Sequence, residues 1–268
     1  MFTCDSSLRD RVTLRLGLEG VPPVDVAGLA RLYAAWCQRV PFDNVRDRLY
    51  RSEGGTGPLP GATPQAFFED WLDGGTGGTC WAGSLALRAW LDAFGFVARL
   101  ATGTMIPSST SRVPNHGTVV VRLAGTDWLV DPSILTGVPL PLAVGAVPPG
   151  FPLGGCRVEE DDGQWILRFN RGRQPIGRCV LESLDVTPET IAEFHEGSRV
   201  EGAFNDRLVA RRGRGPTVVS LGEGERTVLH VDGTVERSAI DHDGARRCLI
   251  DDFGILPALA HRVEAGER

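Results

Sequence analysis

Residues 77–95 read GGTCWAGSLALRAWLDAFG. Thr79 is a good N-cap, which predicts Cys80 as the first residue of a helix. Leu85, Leu87, Trp90, Leu91 and Phe94 supply an apolar face, and Gly95 fits the C′ position that ends the helix. A thiol at a helix N-terminus feels the positive end of the macrodipole, which favours a thiolate. Gly77 and Gly78 predict close approach of backbone to a ligand, and N–H groups at the turn are candidates for holding an oxyanion.

A thiolate nucleophile needs a base, and the base needs a carboxylate to orient it. His116 precedes an apolar strand from Thr118 to Leu123, and Asp131 closes a second strand from Asp127. Ala124-Gly125 reads as the two-residue turn between them. In that register Arg122 faces Asp127, and His116 and Asp131 fall on one face as diagonal neighbours at the open end. A one-residue slip would separate them. Cys80, His116 and Asp131 are the candidate catalytic residues.

Each of the three has an ordinary structural explanation when taken alone. A lone cysteine is usually a small buried hydrophobe, and Cys4, Cys37, Cys156, Cys179 and Cys248 read that way. A histidine at a strand start is usually structural, and an aspartate before proline usually marks a turn. The glycine turn and the shared hairpin face make the joint reading nucleophilic catalysis through a thioester.

The chain has 268 residues, 42% of them hydrophobic, which is length enough for a large core and two or three domains. Its net charge is -6, and all 28 basic residues are arginine. Without lysine there is no Schiff-base, pyridoxal or P-loop lysine chemistry. No basic patch suggests nucleic acid. The six cysteines form no CxxC or close pair, so they read as free thiols. The first residues begin no signal segment, and no run approaches membrane-spanning length. The expected compartment is the cytoplasm, with no membrane partner.

The first third reads helical. Ser6 or Ser7 opens a helix through Leu16, Asp25 caps a second, and Thr63-Pro64 opens a third before the Cys80 helix. Pro41-Phe42-Asp43-Asn44 breaks the pattern, and a glycine-rich loop runs from Gly54 to Gly61. From Phe96 the period is that of strands: Phe96 to Thr104, the two hairpin arms, Trp165 to Asn170 and Cys179 to Leu184. Pro107-Ser108-Ser109-Thr110-Ser111 and Pro139 to Gly155 read as loops, and Glu159 to Gly163 as a solvated acidic turn. Thr187-Pro188 opens a helix to about His195, with His195 at its end. Four short strands between Arg207 and Ala239 and a helix from about Asp243 to Phe253 close the chain. Asp241-His242-Asp243 reads as a helix cap rather than a metal site; no metal is expected.

At these positions the chain resembles the arylamine N-acetyltransferase family. Gly77-Gly78-Thr79-Cys80 matches the family's nucleophile motif, and Pro41-Phe42-Asp43-Asn44 its upstream Pro-Phe-Glu-Asn. His116, Trp128-Leu129-Val130-Asp131, Phe204 to Val209 and Asp252-Phe253-Gly254-Ile255 follow in family order. The resemblance implies an α+β fold with a transglutaminase- or papain-like Cys-His-Asp core. Its parts would be a helical bundle (1–95), a β-barrel (96–200) and an α/β lid (201–268). It implies ping-pong transfer from an acyl-CoA or phosphopantetheine thioester, with an acyl-carrier protein as an option, to a small-molecule amine. No tightly bound cofactor is implied. The candidate substrate-binding residues are Phe42, Gly78, Thr79, Trp81, Ser133, Ile134 and Leu135, the last three from a loop that borders the family's substrate pocket.

Departures are specific. Thr76 stands where the family has arginine, Ala82 where it has glutamate, Ser84 where it has asparagine and Asp43 where it has glutamate. A buried ion pair weakened as a unit would read this way. Pro132 to Gly137 replaces the family's Gly-Phe-Gly-like loop. These changes point to a divergent member, and macrolactam-closing amide synthases are one branch of the family. The alternatives are a Cys-His-Asp thioesterase or amidase using water, and a non-catalytic binding protein.

Overall fold

The structure is a computed structural model that describes residues 6–106, 113–145, 156–170 and 177–263. In chain order the elements are α1 (Ser6–Arg15), α2 (Val26–Arg39), β1 (Phe42–Asp43), α3 (Val45–Ser52), α4 (Pro64–Gly74), α5 (Cys80–Ala93), β2 (Ala98–Ile106), β3 (His116–Leu123), β4 (Thr126–Val130) and β5 (Leu140–Pro141). They continue as β6 (Arg157–Asp161), β7 (Gln164–Phe169), β8 (Gly177–Val186), α6 (Pro188–Glu201), β9 (Val209–Arg214), β10 (Thr217–Gly222), β11 (Glu225–Leu229), β12 (Val235–Ala239), α7 (His242–Asp251) and α8 (Pro257–Ala260). The fold is mixed α/β. Pro107 to Ser111, most of the proline- and glycine-rich loop (146–155) and Cys4 lie outside the described residues.

Local chemistry sets the helix starts. Asp25, Thr63, Thr187 and Asp241 each accept a first-turn backbone N–H with the side chain. Pro64 and Pro188 occupy the first helical positions, where proline's missing N–H costs nothing. Trp36 of α2 stacks on Phe67 of α4 at 5.7 Å and meets Trp90 of α5 at 6.2 Å. All three rings are buried, and each buried aromatic contributes about 1.5–3 kcal/mol. The Cys80 helix is buried all round over its first two turns, so its apolar character is not confined to one face.

Seven strands form a barrel-like antiparallel sheet in the order β5-β4-β3-β2-β8-β7-β6. The expected register of its central hairpin is present: Arg122 pairs Asp127 and Leu123 pairs Thr126, across Ala124 and Gly125 at positive φ. A second sheet has the order β1-β9-β10-β11-β12. One of its faces packs Ala210, Val219, Leu221 and Val228 against α3 and α7.

Several sequence expectations are corrected. Residues 45–52 form α3, a helix the polar run Val-Arg-Asp-Arg-Leu-Tyr-Arg-Ser did not announce. Only Val45 and Leu49 are buried, so its apolar stripe is two residues long. Glu159 to Asp161 belong to strand β6, and only Asp162-Gly163 make the turn. Helix α6 continues six residues past His195, which sits buried in its middle rather than at its end. Burial lowers the His195 pKa to about 4, so it is a neutral core residue.

Candidate active site

Three elements meet at the thiol. Cys80 opens α5, His116 opens β3, and Asp131 follows β4. Their exposures are 6%, 2% and 1%, so the chemistry is shielded from bulk water. β3 lies so close to α5 that a Cβ on Gly117 would come within 2.7 Å of the Trp81 ring. Only glycine fits there, and that close approach brings His116 beside the Cys80 helix.

His116 Nε2 and Asp131 Oδ2 are 2.6 Å apart. This leaves Nδ1 as the ring nitrogen on the thiol side. Burial disfavours a charged ring, but the Asp131 carboxylate overrides it, and the Cys80 thiol adds to the effect. His116 is held well above the ordinary histidine range. Asp131 is also buried, yet His116 and the Ile134 and Ser133 N–H groups hold it down at about 2.

Asp131 is anchored on every side. Its Oδ1 accepts from Ser133 N–H (2.9 Å), Ser133 Oγ–H (2.9 Å) and Ile134 N–H (2.7 Å). Its backbone is held by Tyr33 of α2, whose hydroxyl donates to Asp131 O at 2.7 Å. The Tyr33 hydroxyl oxygen in turn accepts from Asp131 N–H at 3.0 Å and Thr136 N–H at 3.1 Å. Tyr33 reads in the sequence only as one apolar position of a helix face.

The upstream motif does three jobs. Phe42 lines the cavity and meets Phe204 edge-on at 5.4 Å. Asp43 Oδ2 accepts the Gly77 N–H at 2.7 Å, and the Asp43 N–H donates to Gly78 O at 3.1 Å. Asn44 donates to the carbonyls of Phe204 and Arg207 and accepts from Val209 N–H. Phe42, Asp43 and Asn44 thus tie the cavity, the thiol loop and the start of β9 together. Gly77 serves this packing rather than a ligand: a Cβ would fall 1.7 Å from Pro41 O. Its N–H is committed to Asp43 and is not an oxyanion donor.

Where the family resemblance places arginine, Thr76 accepts a hydrogen bond from Arg46 Nε at 2.9 Å. Arg46 also pairs with Asp70 at 3.0 Å. A guanidinium is therefore present at this position, supplied by α3 instead of by the nucleophile loop. Ser84 Oγ–H bonds back to Cys80 O at 2.7 Å.

Two cavities meet at Cys80, one of about 240 Å³ and one of about 300 Å³. Asn115, Ala203 and Phe204 also border both. Ser133 and Ile134 line the smaller, with His116 and Phe42. Thr79 and Trp81 line the larger, where Trp81 stacks on Phe194 at 5.0 Å. Gly78 faces a small crevice beneath the loop instead. Leu135, expected to touch substrate, is buried in the main core at positive φ. Asp241 caps α7 through Gly244 N–H, as its position suggests. No described helix is long and apolar enough to cross a membrane.

The site thus belongs to a class in which a buried thiol sits beside an imidazole–carboxylate pair. A family model described as N-acetyltransferase matches residues 25–258. The chain belongs to the arylamine N-acetyltransferase family, a family of enzymes. A search of curated proteins finds no sequence match. Among solved structures it is similar to the Mycobacterium marinum arylamine N-acetyltransferase in complex with CoA, at 18% identity, 94% of each chain and a TM-score of 0.80. It is similar to the Salmonella typhimurium enzyme at 22% identity, over 93% of this chain and 92% of that one, with a TM-score of 0.75. The Mycobacterium abscessus enzyme gives 19% identity, 94% of this chain and 92% of that one, and a TM-score of 0.78.

Proposed function

We propose that this protein is a cysteine-dependent acyltransferase that moves an acyl group from a thioester to an amine through an acyl-Cys80 intermediate. The observation that carries the reading is the 2.6 Å His116–Asp131 contact, buried beside Cys80 at the N-terminus of α5. His116 takes the Cys80 proton, and the thiolate attacks the donor carbonyl. As the carbonyl re-forms, the donor's C–S bond breaks and its sulfur leaves with the proton from His116. The amine then attacks acyl-Cys80, gives its proton to His116, and expels the Cys80 thiolate. His116 returns that proton to sulfur, and the cycle closes with no net redox change. Asp131 holds the imidazolium that forms twice per turnover.

Thr79 makes no side-chain cap bond to α5. The first-turn N–H groups of this helix are then available for the oxyanion. Cavities of about 240 and 300 Å³ suit an acyl group and a small amine, but not a whole coenzyme. A CoA or carrier-borne donor would enter by its pantetheine arm. We also read the chain as three parts, a helical bundle, a barrel and a lid, with one amendment. Residues 42–52 travel with the last part, because β1 pairs β9 and α3 shares the core of α7.

The test is intact-protein mass after incubation with acyl-CoA and acyl-pantetheine thioesters. An adduct that requires Cys80, and that an amine discharges as amide, is expected. Adduct or turnover persisting in Cys80→Ala would sink the nucleophile assignment, and discharge by water alone would make the protein a thioesterase.

A further inference from the structure

The five-stranded sheet turns its second face toward the smaller cavity, and its register sorts that face into rows. Gly213, Val218, Leu229 and Val235 pair in sequence across β9 to β12. Val218, Leu229 and Val235 pack into the core that also holds Val120 and Leu129. Two residues along each strand lies the next row: Phe42, Arg211, Ser220, Thr227 and Arg237, each paired with the next across β1, β9, β10, β11 and β12. All five line the cavity that reaches Cys80 and His116.

We propose that the row Arg211-Ser220-Thr227-Arg237 binds an anionic group, phosphate or carboxylate, carried by a substrate whose reactive end meets Cys80. The assignment of Cys80 chemistry rests on the acyltransferase reading above; the anion site rests on the sheet itself. Alternation puts every second residue of a strand on one face. Four such positions on neighbouring strands carry guanidinium, hydroxyl, hydroxyl and guanidinium, all hydrogen-bond donors. Guanidinium groups match carboxylate and phosphate in charge and in fork geometry. Among the described residues the cavity wall carries four arginines, the other two being Arg178 and Arg207, against two glutamates. Arg207 is already paired with one of these, Glu223. This excess of positive charge stands out in a chain of net charge -6.

Burial grades along the row. Phe42 is buried, Arg211, Ser220 and Thr227 are half-buried, and Arg237 on the edge strand is exposed. Strand spacing makes the span from Arg211 to Arg237 about 14 Å. The row therefore runs from the buried Phe42, which shares the cavity with the thiol, out to the exposed edge strand. It fits a ligand with an apolar or reactive end inside and an anion one or more strands further out. Two substrates have that shape: a phosphopantetheine thioester, with its phosphate outward, and a carboxylate-bearing amine.

The experiment is calorimetric binding to the full chain with two matched pairs. One is phosphopantetheine against pantetheine, and the other is 4-aminobenzoate against 4-aminobenzamide. Wild type should bind the charged member of one pair about tenfold tighter or more, as charge-assisted hydrogen bonds do. Preference in the first pair names the donor phosphate, and in the second the acceptor carboxylate. Arg211→Gln and Arg237→Gln should each cut the preference toward unity while leaving the neutral ligands' affinity unchanged. Arg237 is exposed, so its variant tests the site without a folding cost. No preference in either pair, or a preference that survives both substitutions, overturns the proposal. Binding needs no turnover, so a failure of Cys80 to acylate would sink the acyltransferase reading separately.

Discussion

Asp43 and Asp131 are both buried beside the Cys80 helix, and their surroundings drive them in opposite directions. Asp131 is held down at about 2, while burial pushes Asp43 up to about 6. Each accepts backbone N–H groups: Ser133 and Ile134 for Asp131, Val45 and Gly77 for Asp43. The difference is the cation. Asp131 touches His116 at 2.6 Å, whereas the guanidinium near Asp43 spends its Nε on Thr76 and Asp70. Two or three N–H donors do not offset desolvation of a buried carboxylate here; a contacting cation does. One aspartate is kept charged against His116, and the other is a clamp on the loop that carries the thiol.

The largest break in this comparison is Asp131→Asn. An amide cannot stabilise the imidazolium and favours the wrong tautomer, and in the serine-protease case that loss is about ten-thousandfold. Single-turnover acylation should fall by that order with circular dichroism unchanged. A near-normal rate would reduce Asp131 to a turn residue.

Tyr33→Phe comes next. It strips the hydroxyl from Asp131 O, Asp131 N–H and Thr136 N–H in a fully buried site. Leaving buried groups unsatisfied costs about 1–3 kcal/mol. Urea unfolding should show a loss of that size, together with a smaller fall in acylation rate than Asp131→Asn gives. An unchanged midpoint would mean that Asp131 is positioned by its Ser133 and Ile134 bonds alone.

The thiol side of the site was legible in the sequence because its signals are local. Thr79 and Gly95 bracket a helix, and a two-residue turn with Arg122 opposite Asp127 fixes which side chains share a face. What was not legible depends on partners far along the chain. β1 joins a sheet whose other strands begin only at Val209, and a two-residue strand has no periodicity to read. α3 hides because two buried residues among six polar ones resemble a loop. The missing loop arginine suggested a lost ion pair, but Arg46 approaches Thr76 from α3, and only the fold reveals that. Leu135 is similar: the resemblance puts the loop that carries it beside the substrate pocket, whereas its own side chain is buried in the main core at a positive φ that the sequence does not signal.

Asp43→Asn sharpens the comparison through pH. The folded chain holds the Asp43 proton up to about pH 6, and the unfolded chain releases it near the ordinary carboxylate value of about 4. In that window the native state binds more protons, so this residue's contribution to stability falls as pH rises and levels off above it. Asp47, raised by burial and by Asp43 to about 7, extends the same slope upward. Neutral, buried His195 slopes the other way, losing stability as pH drops from about 6.5 towards 4. The measurement is therefore the difference in Tm between wild type and variant from pH 4 to 7. The variant should gain on wild type as pH rises. A constant difference would show that Asp43 has the same proton affinity in both states.

The smallest expected effect decides how much a cation out of contact is worth. Arg46 is about a third exposed, and its ion pair with Asp70 should contribute about 0–1 kcal/mol. Arg46→Gln can keep a donor near Thr76 Oγ1 while removing the charge that lowers Asp43. The pH window of the Asp43 effect should then move upward, because one of the influences opposing desolvation is gone. Acylation by a saturating donor should change less than for any variant above. If Arg46→Gln instead slowed acylation as severely as Asp131→Asn, the guanidinium would be setting the geometry of the thiol loop. The two aspartates would then differ in their cation's distance but not in their need for one.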